Sequence, residues 1–305
     1  MSRTFTGEAL SWEHVHDALE VRLIRAPANE IGTTTLRELE RLAEYVRSGS
    51  GGARALIWYS IVERGFCAGA DLRELHAGLM ERQQQPIDVA RRMVARLPDG
   101  AKDVLRSARP LVGRAARPLI RRQIRAFIDR IHRVFNTFDA APITTIAAVH
   151  GVCFGGGFEW ALTADLIVAD KTARFCFPEL RLGLVPGFGG IPRLTRDVGN
   201  GVARDLLLTG RSLRATRAHE LGIVSQVVAN GKALQVARSL AKQAARFDPT
   251  VTARAKAFAK PIPHDFLERE KLAFCEMVMS PAVLEALTNF VDDDSAMPWL
   301  SGGTR

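Results

Sequence analysis

The chain has 305 residues, enough for one large domain or two, and its 47% hydrophobic and 25% charged content is that of an ordinary globular protein. No window reaches the roughly 18 apolar residues needed to span a bilayer, and Met1-Ser-Arg-Thr-Phe-Thr-Gly-Glu8 lacks the apolar core of a secretory signal. The net charge is +9, yet ten cations between Ala101 and Arg133 face only Asp103 and Asp129, so that stretch carries +8 and the remainder is nearly neutral. Cys67, Cys153, Cys176 and Cys275 show no C-x-x-C spacing and sit mostly in apolar contexts. Free buried thiols and a cytoplasmic location are therefore expected.

In chain order, Leu19–Arg25 alternates like a strand and Ala26-Pro-Ala-Asn29 ends it as a turn. Thr33 or Thr34 is placed to cap a helix through about Val46, with Leu36, Leu39, Leu42, Ala43 and Val46 on one face. Ser48–Gly52 reads as a loop and Ala55–Ile61 as a second strand. Phe66-Cys-Ala-Gly-Ala-Asp71 then turns into a helix from near Asp71 toward Met80. Residues 82–120 read as a basic insertion, broken at Gln83-Gln-Gln-Pro86 and Pro98-Asp-Gly100, with helical pieces near Pro86–Leu97 and Ala101–Ser107. Residues 118–138 read as one amphipathic helix, with Ile120, Ile124, Phe127, Ile128, Ile131, Val134 and Phe135 on one side and mostly arginine on the other.

Ile143–Val149 has the β-branched content of a buried strand. It breaks at Gly155, Gly156 and Gly157, and a helical segment follows over Phe158–Asp165. Such a break lets a ligand approach the backbone. The first N–H groups of the new helix have no partner inside it, and the helix dipole favours negative charge there. Glu159 stands one turn in. An oxyanion beside a proton-transferring carboxylate would use both features; tight strand–helix packing would also account for the glycines.

Leu166–Asp170 and Ala173–Phe177 are further strands, followed by Pro178-Glu179 and a glycine-rich loop, Leu182–Gly190. The segment from Pro192 looks helical, Val202–Leu208 is apolar, Arg214–Leu221 is a helix closed by Gly222, and Ile223–Val228 is the last strand. From Lys232 the pattern is helical, with breaks at Pro249, Pro261, Pro263 and Pro281. The composition divides the chain into a core over 1–205 and a mostly helical part over 206–305.

The two turns share a design: a strand, a small-residue turn and a helix start, ending in the N–H groups of Ala70 and Gly156. Two such donors meeting at one oxygen form an oxyanion hole. Glu159 and Glu179 downstream suit general acid–base work if burial raises at least one pKa. Other chemistries find less support. The chain has no G-x-S-x-G, no Walker A sequence and no G-x-G-x-x-G. His14-Val-His16 has no second ligand cluster, so no metal site is expected.

With these residues in view, the chain resembles the crotonase superfamily, most closely its enoyl-CoA hydratase/isomerase family. Cys67-Ala-Gly-Ala-Asp-Leu-Arg-Glu74 is similar to the family's A-G-A-D-[IL]-[KR]-E turn, and Ile146–Asp170 to its V-x-G-x-x-x-G-G-G-x-E segment. Phe175–Gly199 resembles F-x-x-P-E-x-x-x-G-x-x-P-G-x-G-G-x-x-R-L-x-R, and Arg211–Val228 resembles A-x-x-A-x-x-x-G-[IL]-V. The likeness covers roughly 19–80 and 139–230; the C-terminal helices match weakly and the insertion does not match.

The resemblance implies an α/β fold, a spiral of ββα repeats followed by a C-terminal helical trimerisation domain. It implies an acyl thioester of coenzyme A or a carrier protein as substrate, with no separate cofactor. Ala70 and Gly156 would form the oxyanion hole, and Glu159 and Glu179 would fall on the hydratase's two catalytic glutamates. Substrate contacts would come from Ala26, Ala28, Ala68, Asp71, Leu72, Arg73, Gly155 and Pro178. Arg73 stands where relatives often carry lysine, so a phosphate contact and a plain surface role are both open. Both glutamates together favour water addition to a 2-enoyl thioester over isomerisation, dehydration or decarboxylation. A protein that mainly binds an acidic partner or an anionic surface through its basic helix is the reading from another class. Nucleic acid is not expected, because no tyrosine or tryptophan interleaves the arginines.

The resemblance also implies a trimer or dimer of trimers, with the last helices packing against neighbouring subunits and helping to close the acyl pocket. The helical spacing predicts that Ile120, Ile124, Phe127, Ile131 and Phe135 dock on the body. Arginines such as Arg117, Arg121 and Arg125 should then be left to form a positive field for CoA phosphates or an acidic carrier.

Overall fold

The computed structural model describes residues 3–82 and 109–293, and in the latter stretch side chains from 118 onward. The expected helical pieces near 86–97 and 101–107 lie outside the described residues, as does the side chain of Arg117.

The strands are β1 (Phe5–Thr6), β2 (Leu10–Val15), β3 (Ala18–Leu23), β4 (Ala55–Ser60), β5 (Gly65–Cys67), β6 (Thr144–Val149), β7 (Val152–Phe154), β8 (Leu166–Asp170), β9 (Arg174–Cys176), β10 (Leu213–Arg214) and β11 (Gln226–Val228). They form two sheets, ordered β1-β2-β3-β4-β6-β8-β11 and β10-β9-β7-β5. The chain alternates between them. β4, β6 and β8 run parallel in the first sheet, and each is followed at once by β5, β7 or β9, parallel in the second. A helix closes the first two of these turns: α2 over 72–82 after β5, and α4 (Gly156–Ala161) after β7. This is the expected ββα spiral. Between them runs α3 (Arg109–Asp139).

The pattern of β4 shows why the sheet holds. Ala55 and Ile57 face one side, where α7 (Ala233–Ala244) lays Ala233, Ala237 and Ala241 against them. Leu56 and Trp58 face the other side, the main core. There the Trp58 ring meets Phe138 and Trp160 edge-on, with centroids 4.7 and 5.1 Å apart. A parallel strand covered on both faces reads as an unbroken apolar run, which is how it is visible in sequence.

Other elements depart from expectation. β1 and β2 are not visible in the sequence pattern; His14 lies in β2, its Nε2 2.9 Å from the Tyr45 hydroxyl, not in a solvated tail. β5 and β7 have three residues each, too few to show a period. Helix α1 (Thr33–Arg47) is capped by neither Thr33 nor Thr34: Gly32 is the N-cap, and the Thr33 N–H is taken by the Glu74 carboxylate of α2 at 2.9 Å. α3 begins at Arg109 and runs through Pro118, where the sequence suggests a start. α4 takes in Gly156 and Gly157 and stops at Ala161 instead of reaching Asp165.

The boundary drawn near 205 falls inside α5 (Gly190–Thr209), and β10 and β11 still complete the two sheets. After α6 (Ala215–Glu220) and α7 come α8 (Pro249–Ala259), α9 (His264–Met277) and α10 (Pro281–Asp292). The prolines at 249 and 281 sit at helix starts, where their missing N–H costs nothing. The last two helices lay apolar residues on their own chain. α9 lies on α3 and α5. α10 buries Val283, Leu287 and Phe290 at helical spacing, and Thr288 meets His76 of α2 at 3.1 Å. α8 differs, with no buried residue and with Phe258 90% exposed.

Of the docking residues on α3, Ile120, Ile124, Ile131 and Phe135 are buried and Phe127 is half-buried. The arginines are exposed as expected but largely engaged: Arg121 pairs with Glu276 at 2.7 Å, Arg125 with Glu268 at 2.6 Å and Arg130 with Glu40 at 2.7 Å. No single described helix is long and apolar enough to cross a membrane. All four cysteines are buried free thiols.

Candidate active site

The two small-residue turns meet at the ends of β5 and β7. A parallel bridge joins Ile31 to Ala70: the Ile31 N–H donates to the Gly69 carbonyl at 2.7 Å, and the Asp71 N–H to the Ile31 carbonyl at 3.1 Å. That ladder uses the groups on either side of the Ala70 N–H and leaves it directed elsewhere. Gly156 opens α4, where its N–H has no helical acceptor. The two donors lie side by side, since a Cβ on Gly156 would stand 3.4 Å from the Ala70 nitrogen and one on Gly69 3.2 Å from the Gly156 nitrogen. Gly69 and Gly155 take φ of 111° and 48°, the left-handed region where a side chain is strained. An oxygen carrying negative charge would be held by both N–H groups there.

Both glutamates border the same cavity of about 50 Å³, with Ala68, Ala70, Leu72, Gly155, Gly156, Pro178, Phe188 and Phe274 around them. Glu159 is 2% exposed. Its Oε1 accepts the N–H groups of Phe188 and Gly190, both at 2.8 Å, which leaves Oε2 for the cavity. Burial pushes its pKa up to about 7 against the pull of those N–H groups. Glu179 opens a 3-10 turn over Glu179–Leu182. Its Oε2 is buried with no hydrogen-bond partner, and its Oε1 stands 2.7 Å from where a Cβ on Gly155 would be, so only glycine leaves it room. Burial, then the charge of Glu159, raises the Glu179 pKa well above the usual carboxylate range. Burial thus favours the protonated form of both carboxyl groups.

A second cavity of about 340 Å³ adjoins this one through Ala70, Leu75, Phe188 and Phe274. Ile31, Ile124, Phe127 and Ile128 wall it, and Arg82, Gln123, Glu74 and Glu81 border it too. The apolar side of α3 thus reaches the site.

The remaining expected substrate residues fall as follows. Ala28 and Ala68 are joined by a hydrogen bond from the Ala68 N–H to the Ala28 carbonyl at 2.9 Å, next to the exposed turn at Ala26. Asp71 pairs with Arg25 at 2.6 Å and accepts the Glu74 N–H, fixing the start of α2. Arg73 reaches the end of α10, with its guanidinium 5.6 Å from the Phe290 ring centre and 3.3 Å from the Val291 carbonyl. Among the described residues no cluster of three metal-ligating side chains occurs.

Sequence reasoning missed the framework of the loop 187–191. The N–H groups of Gly189 and Ile191 go to the carboxylate of Glu270 on α9, at 2.6 and 2.8 Å. Arg193, fully buried, donates to the Phe188 and Gly189 carbonyls and to Asp139. His132 of α3 donates through Nε2 to the Gly187 carbonyl at 2.9 Å; burial drives its pKa down to about 4, so it is neutral. Arg193 belongs to the resembling motif, but nothing local in sequence marks Glu270 or His132.

Comparison with known proteins fits this geometry. The family model described as enoyl-CoA hydratase/isomerase matches residues 126–270. A Rhizobium meliloti protein described as a probable enoyl-CoA hydratase is 47% identical over 111 residues, 36% of this chain and 43% of the relative. A Zymoseptoria tritici enoyl-CoA isomerase/hydratase is 29% identical over 305 residues, covering 95% of this chain and 86% of that one. The crystal structure of a Bacillus anthracis enoyl-CoA hydratase superposes with a TM-score of 0.64 at 26% identity, over 93% of this chain and 96% of that one. Residues 126–270 thus match the enoyl-CoA hydratase/isomerase family, and the chain shares the fold of a solved enoyl-CoA hydratase. The matched stretch spans less than half of the Rhizobium relative, and the relatives' names include both hydratase and isomerase.

Proposed function

We propose that the protein adds water across the double bond of a 2-enoyl thioester, carried by coenzyme A or a carrier protein. The observation that carries this reading is the presence of two buried carboxylates with raised pKa values at the rim of one small cavity that also holds two backbone donors. The thioester carbonyl accepts from Ala70 and Gly156. One carboxylate takes a proton from water as its oxygen bonds to C3. The electron pair of the C2–C3 double bond moves into the carbonyl, and the oxyanion hole holds the enolate. The other carboxyl group delivers its proton to C2. A site with one such group could move a double bond by carrying one proton; adding water engages two at once. The acyl chain lies in the larger apolar cavity. No further cofactor is required.

We further propose a trimer or dimer of trimers. Phe258, Val251 of α8 and the nearby Phe247 are 90, 64 and 66% exposed, an apolar surface that a second copy would cover.

The test is hydration of short, branched and aromatic enoyl-CoA substrates by the purified protein, with product analysis. Water addition to none of them, or products of double-bond migration alone, would overturn the hydratase reading. Sedimentation that finds a stable monomer at micromolar concentration would remove the trimer.

A further inference from the structure

Glu270 is a buried carboxylate, 4% exposed, that borders neither cavity. It comes from α9, far along the chain from the catalytic turns. Yet the four successive N–H groups of Phe188, Gly189, Gly190 and Ile191 alternate between Glu159 and Glu270, two to each carboxylate. The same short loop is moulded to both. A Cβ on Gly190 would strike Glu159 Cγ at 2.7 Å, and one on Gly189 would run into the Arg193 guanidinium and come within 2.6 Å of Leu267. The Phe188 ring in turn lies against Gly156, 2.7 Å from where its Cβ would be. A shift of this loop therefore moves Glu159 and the wall of the oxyanion site together.

A purely structural acceptor for two N–H groups need not be a carboxylate. A second one near Glu159 costs stability, since burial and the Glu159 charge both work against ionising it. We propose that Glu270 is a positioning residue: it fixes the loop 188–191 so that Glu159 Oε1 stays held by backbone and Oε2 alone faces the substrate. This rests on the reading of Glu159 as a proton-transferring group.

Glu270→Gln keeps the size of the side chain but offers one acceptor oxygen for two N–H groups. Single variants at Glu159 and Glu270 and the double variant, all Gln, form a cycle read in kcat and KM for hydration. If Glu270 acts through Glu159, Glu270→Gln lowers kcat about 10–100-fold, as a misplaced group does, with KM within about threefold. In the Glu159→Gln background it adds almost nothing. A full multiplicative loss in the double variant, or an unchanged kcat in the single one, would overturn the proposal. If Glu270→Gln does not fold, Glu270→Asp takes its place, with both acceptors drawn back by one methylene.

Failure of the functional reading is distinguishable. A wild type that hydrates no enoyl thioester refutes hydration alone. The cycle is then read from deuterium exchange at Cα of a saturated acyl-CoA, where a base takes the α-proton, the electron pair moves into the carbonyl and solvent deuterium returns. Amide hydrogen exchange over 184–194 needs no turnover at all. Glu270→Gln should release all four loop amides, those held by Glu159 included; release of only the two held by Glu270 itself would also overturn the proposal.

Discussion

Two regions use charged side chains in opposite ways. Around the loop 187–191, Glu159, Glu270, Arg193 and Asp139 are withdrawn from water, and each is tied to named backbone or side-chain partners. On the outer side of α3, Arg121 and Arg125 pair with glutamates of α9 while staying about half exposed. In the first region removing one partner leaves another uncompensated in a medium where charge interactions are strong. In the second, water replaces whatever is lost. The basic helix dominates the net charge, but the buried cluster should dominate the chemistry.

The largest effects should come from the two glutamates. Glu159→Gln retains Oε1 to accept from Phe188 and Gly190, so the loop and fold should survive while turnover falls by about 10²–10⁴-fold or more. Glu179→Gln should do the same, because the unpartnered Oε2 is replaced by a group of like size. Circular dichroism and steady-state kinetics check both; a variant within tenfold of wild type would remove that carboxylate from the reaction. Next is Gly156→Ala. Its Cβ would press into the Phe188 ring and stand 3.4 Å from the Ala70 nitrogen. We expect a loss of about 10²–10³-fold, the scale of removing one oxyanion donor. Activity near wild type would show that the ring gives way and that the space between the donors is not where the oxygen binds.

A smaller effect concerns stability. The Glu159 carboxyl titrates near 7 in the fold against an ordinary value of 4.5. Between those values the native state binds more protons than the unfolded chain, so this group makes stability fall as pH rises from about 4.5 to 7 and leaves it lower above. Glu179 and Glu270 push in the same direction. Each tenfold difference in proton affinity between the folded and unfolded chain corresponds to about 1.4 kcal/mol. Glu159→Gln should therefore gain stability relative to wild type at pH 8 compared with pH 5. Urea midpoints at the two pH values that move in parallel for both proteins would contradict this.

The same comparison explains what could be read from sequence. The two small-residue turns were legible because each is local: strand, small residues, helix start, and a carboxylate at fixed spacing over Ala68–Asp71 and Gly155–Glu159. Strands such as β4 and β6, buried on both faces, were legible as apolar runs. The short β5 and β7 were not, since three residues carry no period and their pairing is set by the turn between the sheets. β2 was hidden because Ser11, Glu13 and His14 break up its apolar residues. Glu270 was invisible for a different reason. It lies in a helix that looks like any charged amphipathic helix, and only folding brings its carboxylate to the N–H groups of Gly189 and Ile191. The state of the α3 arginines was half legible: exposure follows from helical spacing, but the glutamates that pair with them come from α9.

The smallest expected effect belongs to those arginines. Arg121 and Arg125 are committed to Glu276 and Glu268, and Arg133 lies within reach of the Glu40 charge. Exposed pairs of this kind contribute about 0–1 kcal/mol each, so replacing Arg121, Arg122 and Arg125 together by Gln should change stability little. What changes is the field met by an anionic thioester before it docks, and that field is screened over about 10 Å at 0.1 M salt. We expect kcat/KM to fall about two- to tenfold at low salt, with kcat nearly intact and the difference vanishing as salt is raised. Acyl-CoA and acyl-carrier-protein substrates assayed side by side sharpen the result. A carrier protein presents many negative charges across a broad surface, so it should lose more than CoA if the arginine face guides it. Equal kcat/KM for wild type and variant with both substrates at low salt would reduce this face to packing and solvation.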